Sequence, residues 1–355
     1  MLDTDLWFVI MDQLPIKDIF TISRTCRFMH NVVQSYKSVA FSFASVLKPF
    51  VEHEDLTSLQ QMMFQTTAII SGSTALQFFA RTRYDDSDLD IYIPEGSLEK
   101  GADWLLAHGY ESEKRIPAPE DPKDPFPTLE GYDCTDEIVG VYNFKKGNPS
   151  KVVQLIATRR EPIYAILDFH SSAGSNSSLT WPADSLAACV LNFMTHDQAY
   201  SLYPFTTLCK QETVVLCELW RGHNEDSLHK YEQRGWKACK MDDICERDDT
   251  NDDRYVNVKG PSELAAEERR IGDVYCWILE LDQTPVHASV YGKDIKWNVC
   301  FAGGRTRLEL KVHSLSLRPD PFQAFVGMMS IDDIFYDYGE DSDHASDYGY
   351  NYELY

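Results

Sequence analysis

Ile69-Ile70-Ser71-Gly72-Ser73-Thr74-Ala75-Leu76, followed by Ser87-Asp88-Leu89-Asp90-Ile91-Tyr92-Ile93, is the stretch on which the reading of the fold turns. In an extended strand, side chains at i and i+2 point to one face. Asp88, Asp90 and Tyr92 then share a face, and Leu89, Ile91 and Ile93 share the opposite, apolar one. Two carboxylates held this close repel each other unless a cation or a proton lies between them. That is the arrangement a divalent-metal site for phosphoryl chemistry uses. The plain alternative is a solvated edge strand with two surface aspartates.

The preceding segment fits the same frame. Thr66 to Ile70 reads as a buried strand, Gly72-Ser73 breaks it, and Thr74 to Arg81 reads as a short helix with Leu76 and Phe79 inward. A glycine at a strand-to-helix turn lets backbone N–H groups approach a phosphate, and a helix N-terminus favours an anion. A Gly-Ser turn followed by Asp-x-Asp on the next strand resembles the nucleotidyltransferase superfamily signature. The resemblance implies that Gly72 and Ser73 bind a nucleoside triphosphate and that Asp88 and Asp90 bind Mg²⁺. Active members place a third carboxylate on a later strand. The matching position in Lys151-Val152-Val153-Gln154-Leu155-Ile156 is Gln154, a neutral amide that cannot serve as a general base. Asp168 is an alternative third acid. The expectation is therefore a degenerate, non-catalytic domain, with Mg²⁺ and a nucleoside triphosphate as cofactors if the site is active.

The N-terminal segment carries an independent pattern. Leu6, Val9 and Ile10 fall on one face of a first helix, which Leu14-Pro15 ends because proline disfavours helix in the residue before it. Ile19, Ile22, Cys26, Met29 and Val33 then recur at steps of three and four. Trp7, Phe8, Ile16, Phe20 and Phe28 lie off that stripe and exceed what a small hairpin can hide. Asp5-Leu6-Trp7, Ile10, Leu14-Pro15, Asp18-Ile19, Ser23-Arg24 and Cys26-Arg27-Phe28 together resemble an F-box, although Leu2 is followed by Asp3 where that family has proline. The resemblance implies docking onto a Skp-type adaptor of cullin–RING ubiquitin ligases through Leu6, Ile10, Leu14, Pro15, Ile19 and Ile22. The competing reading is a helical hairpin packed on the domain that follows.

Composition bounds the rest. A chain of 355 residues with a formal net charge of −23 has room for two or three domains. No basic stripe is visible, which disfavours a nucleic-acid partner. No apolar run approaches the about 20 residues of a membrane helix, and no secretory leader opens the sequence. The nine cysteines include no Cys-x-x-Cys pair, so reduced thiols in cytoplasm or nucleus are expected.

The fold expected is α+β. A helical F-box-like module occupies 1–40 and a helical connector 41–65. A nucleotidyltransferase-like mixed core covers 66–229, a β-rich region 230–330, and a disordered acidic tail 331–355. Strands are expected at 139–144 and 152–156, and a helix from Ser185 to before Pro204, with His196 and Asp197 as a surface pair. Residues 242–253 read as a charged loop. The function expected is a substrate adaptor for a ubiquitin ligase, presenting a protein target not identified by the sequence. The alternatives are a Mg-dependent nucleotidyltransferase acting on a protein or small molecule, and a scaffold with neither activity.

Overall fold

The computed structural model describes residues 4–112, 137–168, 188–215, 225–240, 245–247, 256–258, 262–265, 269–281, 295–302 and 305–312. The proline-rich stretch 116–132, the polar stretch 171–183 and the acidic tail lie outside these residues.

Three helices open the chain: α1 (Thr4–Asp12), α2 (Ile16–Ser23) and α3 (Arg27–Ala40). Pro15 sits extended just before α2, where its fixed φ and missing N–H do no harm. The connector is a broken helix rather than a continuous one. The short α4 (Phe43–Leu47) is capped by Ser42, whose hydroxyl accepts from the Ser45 N–H, and Pro49 prevents its extension. The longer α5 (Leu56–Thr66) ends at Thr67, which takes a left-handed conformation.

Next come β1 (Ile69–Ser71), α6 (Gly72–Ala80), β2 (Leu89–Pro94), α7 (Leu98–Ala107) and β3 (Glu111–Ser112). The hairpin β4 (Ile138–Lys146) and β5 (Lys151–Thr158) leads to α8 (Pro162–Asp168). A second hairpin, β6 (Asn192–Met194) and β7 (Gln198–Ser201), replaces the helix expected from Ser185. Both of its strands are almost wholly buried. A strand covered on both faces shows no polar alternation, so Val190, Phe193 and Met194 mimic helical spacing.

The central sheet has eight strands in the order β13-β7-β6-β1-β2-β5-β4-β3, where β13 is Trp277–Glu280. Of the pairs within this sheet, β2–β5 is parallel and the rest are antiparallel. Its edge strand β13 thus comes from the region expected to be a separate β-rich unit. Smaller pairings include a three-stranded sheet of Arg269–Arg270, Ile295–Ala302 and Arg305–Val312, and a strand at Cys245–Arg247 within the segment expected to be a charged loop.

The sheet sits between two apolar layers. On one face Leu89, Ile91 and Ile93 pack with Val153, Leu155 and Ala157 beneath α5, α6 and α7. A methyl group on Gly101 of α7 would fall 2.8 Å from Ile93 Cδ1, so α7 lies as close to β2 as backbone allows. That same core continues into α1–α3 through Met11, Ile16, Ile19, Phe20, Met29 and Val33. On the other face Ile69, Tyr92, Val141 and Ile156 pack with Ile163 and Ile166 of α8. The fold is α+β.

Candidate functional site

The strand–helix turn forms as the sequence requires. Ser71 ends β1 and Gly72 opens α6 with φ +66°, so no loop separates strand from helix. Ser71 pairs with Asp90, Asp90 with Gln154, and Gln154 with Asn143, forming one row across β1, β2, β5 and β4. A methyl group on Gly72 would fall 2.2 Å from Asp90 Oδ2. Glycine is therefore required here twice, by its backbone angle and by the carboxylate against it. Thr74 Oγ1 donates to the Asp88 carbonyl at 3.1 Å, tying the first turn of α6 to the approach of β2. Ser73 is buried in that same turn, and Ser71 Oγ donates to Asn192 O at 2.7 Å.

The structure thus gathers Gly72, Ser73, Asp88 and Asp90 at one elbow. Asp88 lies just ahead of β2 rather than within it. Beside Asp90 the row offers a serine and two amides. Among the described residues no group of three or more His, Cys, Asp or Glu is placed to hold a metal ion. Asp168, the other acid considered, ends α8. His196 and Asp197 are not a surface pair. They form the buried turn between β6 and β7, where Gln60 Nε2 donates to His196 O at 2.8 Å and Thr195 Oγ1 donates to Asp197 at 2.8 Å. Turn hydrogen bonds, which leave no mark on hydropathy, account for both.

A second site lies on the N-terminal helices. Leu6, Val9 and Ile10 of α1 are 52%, 61% and 40% exposed. Positions i, i+3 and i+4 share one helical face, so the three form a continuous apolar strip. Phe28, at the start of α3, is also exposed. Pro15 is exposed, whereas Leu14 and Ile22 are half-buried against the core. Ile19 is only 2% exposed and lies in the core shared with the sheet. Its neighbour Phe20 meets Trp277 of β13 edge-on, with centroids 5.2 Å apart. The six residues expected to meet a partner therefore divide between surface and core, because helical spacing alone does not say which apolar face meets the rest of the chain.

One residue that pattern-reading did not single out joins the two sites. Arg81 follows α6 in the left-handed region, with φ +55°. Its guanidinium donates to Met11 O at 2.9 Å, Leu14 O at 2.6 Å and the Tyr36 hydroxyl at 2.5 Å. A cation at the carbonyl end of α1 satisfies groups the helix leaves open and suits its dipole. The Tyr36 hydroxyl in turn donates to Asp12 Oδ1 at 2.7 Å. Burial, reinforced by Asp12, pushes the Tyr36 hydroxyl up to about 12. Arg81 thus pins α1 and α3 to the helix of the elbow.

No curated protein and no solved structure matches the chain at a significant level. The family model for the F-box domain matches residues 1–40, the span that ends with α3. Helices α1–α3 are accordingly an F-box domain, built onto the sheet by Phe20 and Arg81 and showing solvent the apolar strip of α1.

Proposed function

We propose that the protein is a substrate adaptor of a cullin–RING ubiquitin ligase, acting in cytoplasm or nucleus. The F-box domain docks on a Skp-type adaptor, and the sheet-centred body presents a protein target. The exposed strip Leu6, Val9 and Ile10 carries this reading. Each such side chain stabilises a complex by about 1.5–3 kcal/mol when fully removed from water. Apart from Phe28 and Val39, the apolar residues of α2 and α3 are largely used against the body, so the strip is the main apolar surface the domain has left to offer. In a test with the full chain and a purified Skp-type adaptor, the wild type is retained and the Leu6→Asp/Ile10→Asp variant is not. Equal retention of a folded variant would remove the proposal.

A second reading rests on the elbow. The close approach of Gly72 to Asp90, beside the N-terminus of α6, supports a nucleotidyltransferase-like ancestry for the body. Two carboxylates and a neutral Gln154 fit a weak Mg²⁺–nucleotide site better than a catalytic one. If Mg²⁺ were held there, Asp88 and Asp90 would be its ligands, and the ion would neutralise the phosphates that Gly72 and Ser73 face. Binding of a nucleoside triphosphate with and without Mg²⁺, compared with Asp88→Asn/Asp90→Asn, tests this. Identical binding by both forms counts against it.

A further inference from the structure

A cavity of about 420 Å³ opens between the last turn of α3 and the loop after α6. Its size falls within the few hundred cubic ångströms typical of small-molecule sites. Val39 comes from the F-box domain, and Phe50 and Phe78 add apolar surface from the body. Arg83 and Lys151 bring cationic ends to the same space. Arg81 also lines it, giving three cations against Asp12 and Asp85. This reverses the sign of a chain whose formal net charge is −23.

The two outer cations are positioned and under-used. Arg83 Nη2 donates to both the carbonyl and the hydroxyl of Ser45, at 2.9 and 2.8 Å. That fixes the guanidinium plane and leaves its other N–H groups without an acceptor among the described residues. A planar fork held this way suits a carboxylate or phosphate. Lys151 Nζ makes one long contact, to Asp85 O at 3.4 Å, and keeps further donors. Of the two lining acids, Asp12 already accepts from Tyr36, and Asp85 meets Lys151 through its backbone carbonyl.

We propose that this cavity binds a small organic anion, its carboxylate or phosphate on Arg83 and Lys151 and its apolar body against Phe50, Phe78 and Val39. An occupant touches the F-box domain and the body at once, through the loop that begins at Arg81 and leads to Asp88. The site is independent of both readings above.

The test is a thermal-shift titration of the full chain at constant ionic strength, with phenyl phosphate, benzoate and neutral phenol as probes. One or both anions should raise Tm saturably, and whichever does so defines the headgroup, while phenol should not. Arg83→Ala/Lys151→Ala should weaken binding at least ten-fold, and both side chains lie at the surface, so the variant should fold. Asp88→Asn/Asp90→Asn should bind as well as the wild type. No saturable shift at millimolar anion, an equal shift with phenol, or an unchanged response of the arginine–lysine variant would each overturn the proposal. Loss of binding in the aspartate variant would also overturn it, by moving the anion to the elbow.

Discussion

Helices α1 and α2 are neighbours of similar length, each with an apolar stripe, and they use it in opposite ways. Helix α2 buries Ile16, Ile19 and Phe20 against the sheet, with Phe20 on the ring of Trp277. Helix α1 keeps Met11 in the core and leaves Leu6, Val9 and Ile10 in water. The difference teaches that this F-box domain is not a bead on a string. About 40 residues rarely bury enough surface to stand alone, and here one helix meets that need by joining the body. The other is left with an apolar strip in water.

The sharpest way to break this contrast is to empty its buried side. Phe20→Ala removes an aromatic ring from a fully packed site and should cost about 3–5 kcal/mol. Urea unfolding followed separately by probes in α1 and in the sheet should shift together. Independent loss of the F-box domain, with the sheet unaffected, would show that the two are not one cooperative unit. Next, Arg81→Met deletes three charge-assisted hydrogen bonds and leaves the Met11 and Leu14 carbonyls short of a donor, a loss of about 3 kcal/mol. Hydrogen exchange should then quicken first at the end of α1.

Gly72→Ala should cost about 2 kcal/mol, from the left-handed backbone and the crowding of Asp90. Combined with Asp90→Ala, the penalty should fall to the backbone share, about 1 kcal/mol. A cycle with no coupling would mean that the carboxylate does not sit against the glycine.

A smaller effect concerns pH. Tyr36 is held neutral by the fold up to about 12, above its ordinary value of 10. Its contribution is complete below pH 10 and is lost as pH rises towards 12, because the unfolded chain gives up the proton first. Tyr36→Phe should flatten that alkaline loss in part. Tyr110, pushed up to about 12 chiefly by burial, supplies a similar limb that remains. Least of all, Leu6→Asp/Ile10→Asp should leave stability within about 0.5 kcal/mol, since both positions face water.

Much of this was legible in the residues. Alternation placed β2, β4 and β5, and the Gly72–Ser73 break placed the turn into α6. Val139–Phe144 and Val152–Ile156 form strands as expected, and the turn residues Gly147 to Pro149 between them let the two pair. The β6–β7 hairpin was hidden because both of its faces are covered, so period two was erased. The burial of Ile19 was hidden because periodicity names a face and not its neighbour. Trp277, which decides that burial, lies far away in sequence. Arg81 gave no signal at all: its three acceptors include two backbone carbonyls, which every residue possesses.

Hydrogen–deuterium exchange of the full chain, with and without a Skp-type adaptor, tests the central claim most directly. Protection should appear across Leu6–Ile10 and at the start of α3 near Phe28, while α2 and the strand bearing Trp277 keep their exchange rates. Faster exchange in α2, or no protection in α1, would mean that the partner uses the buried face or does not bind, and the account would fail.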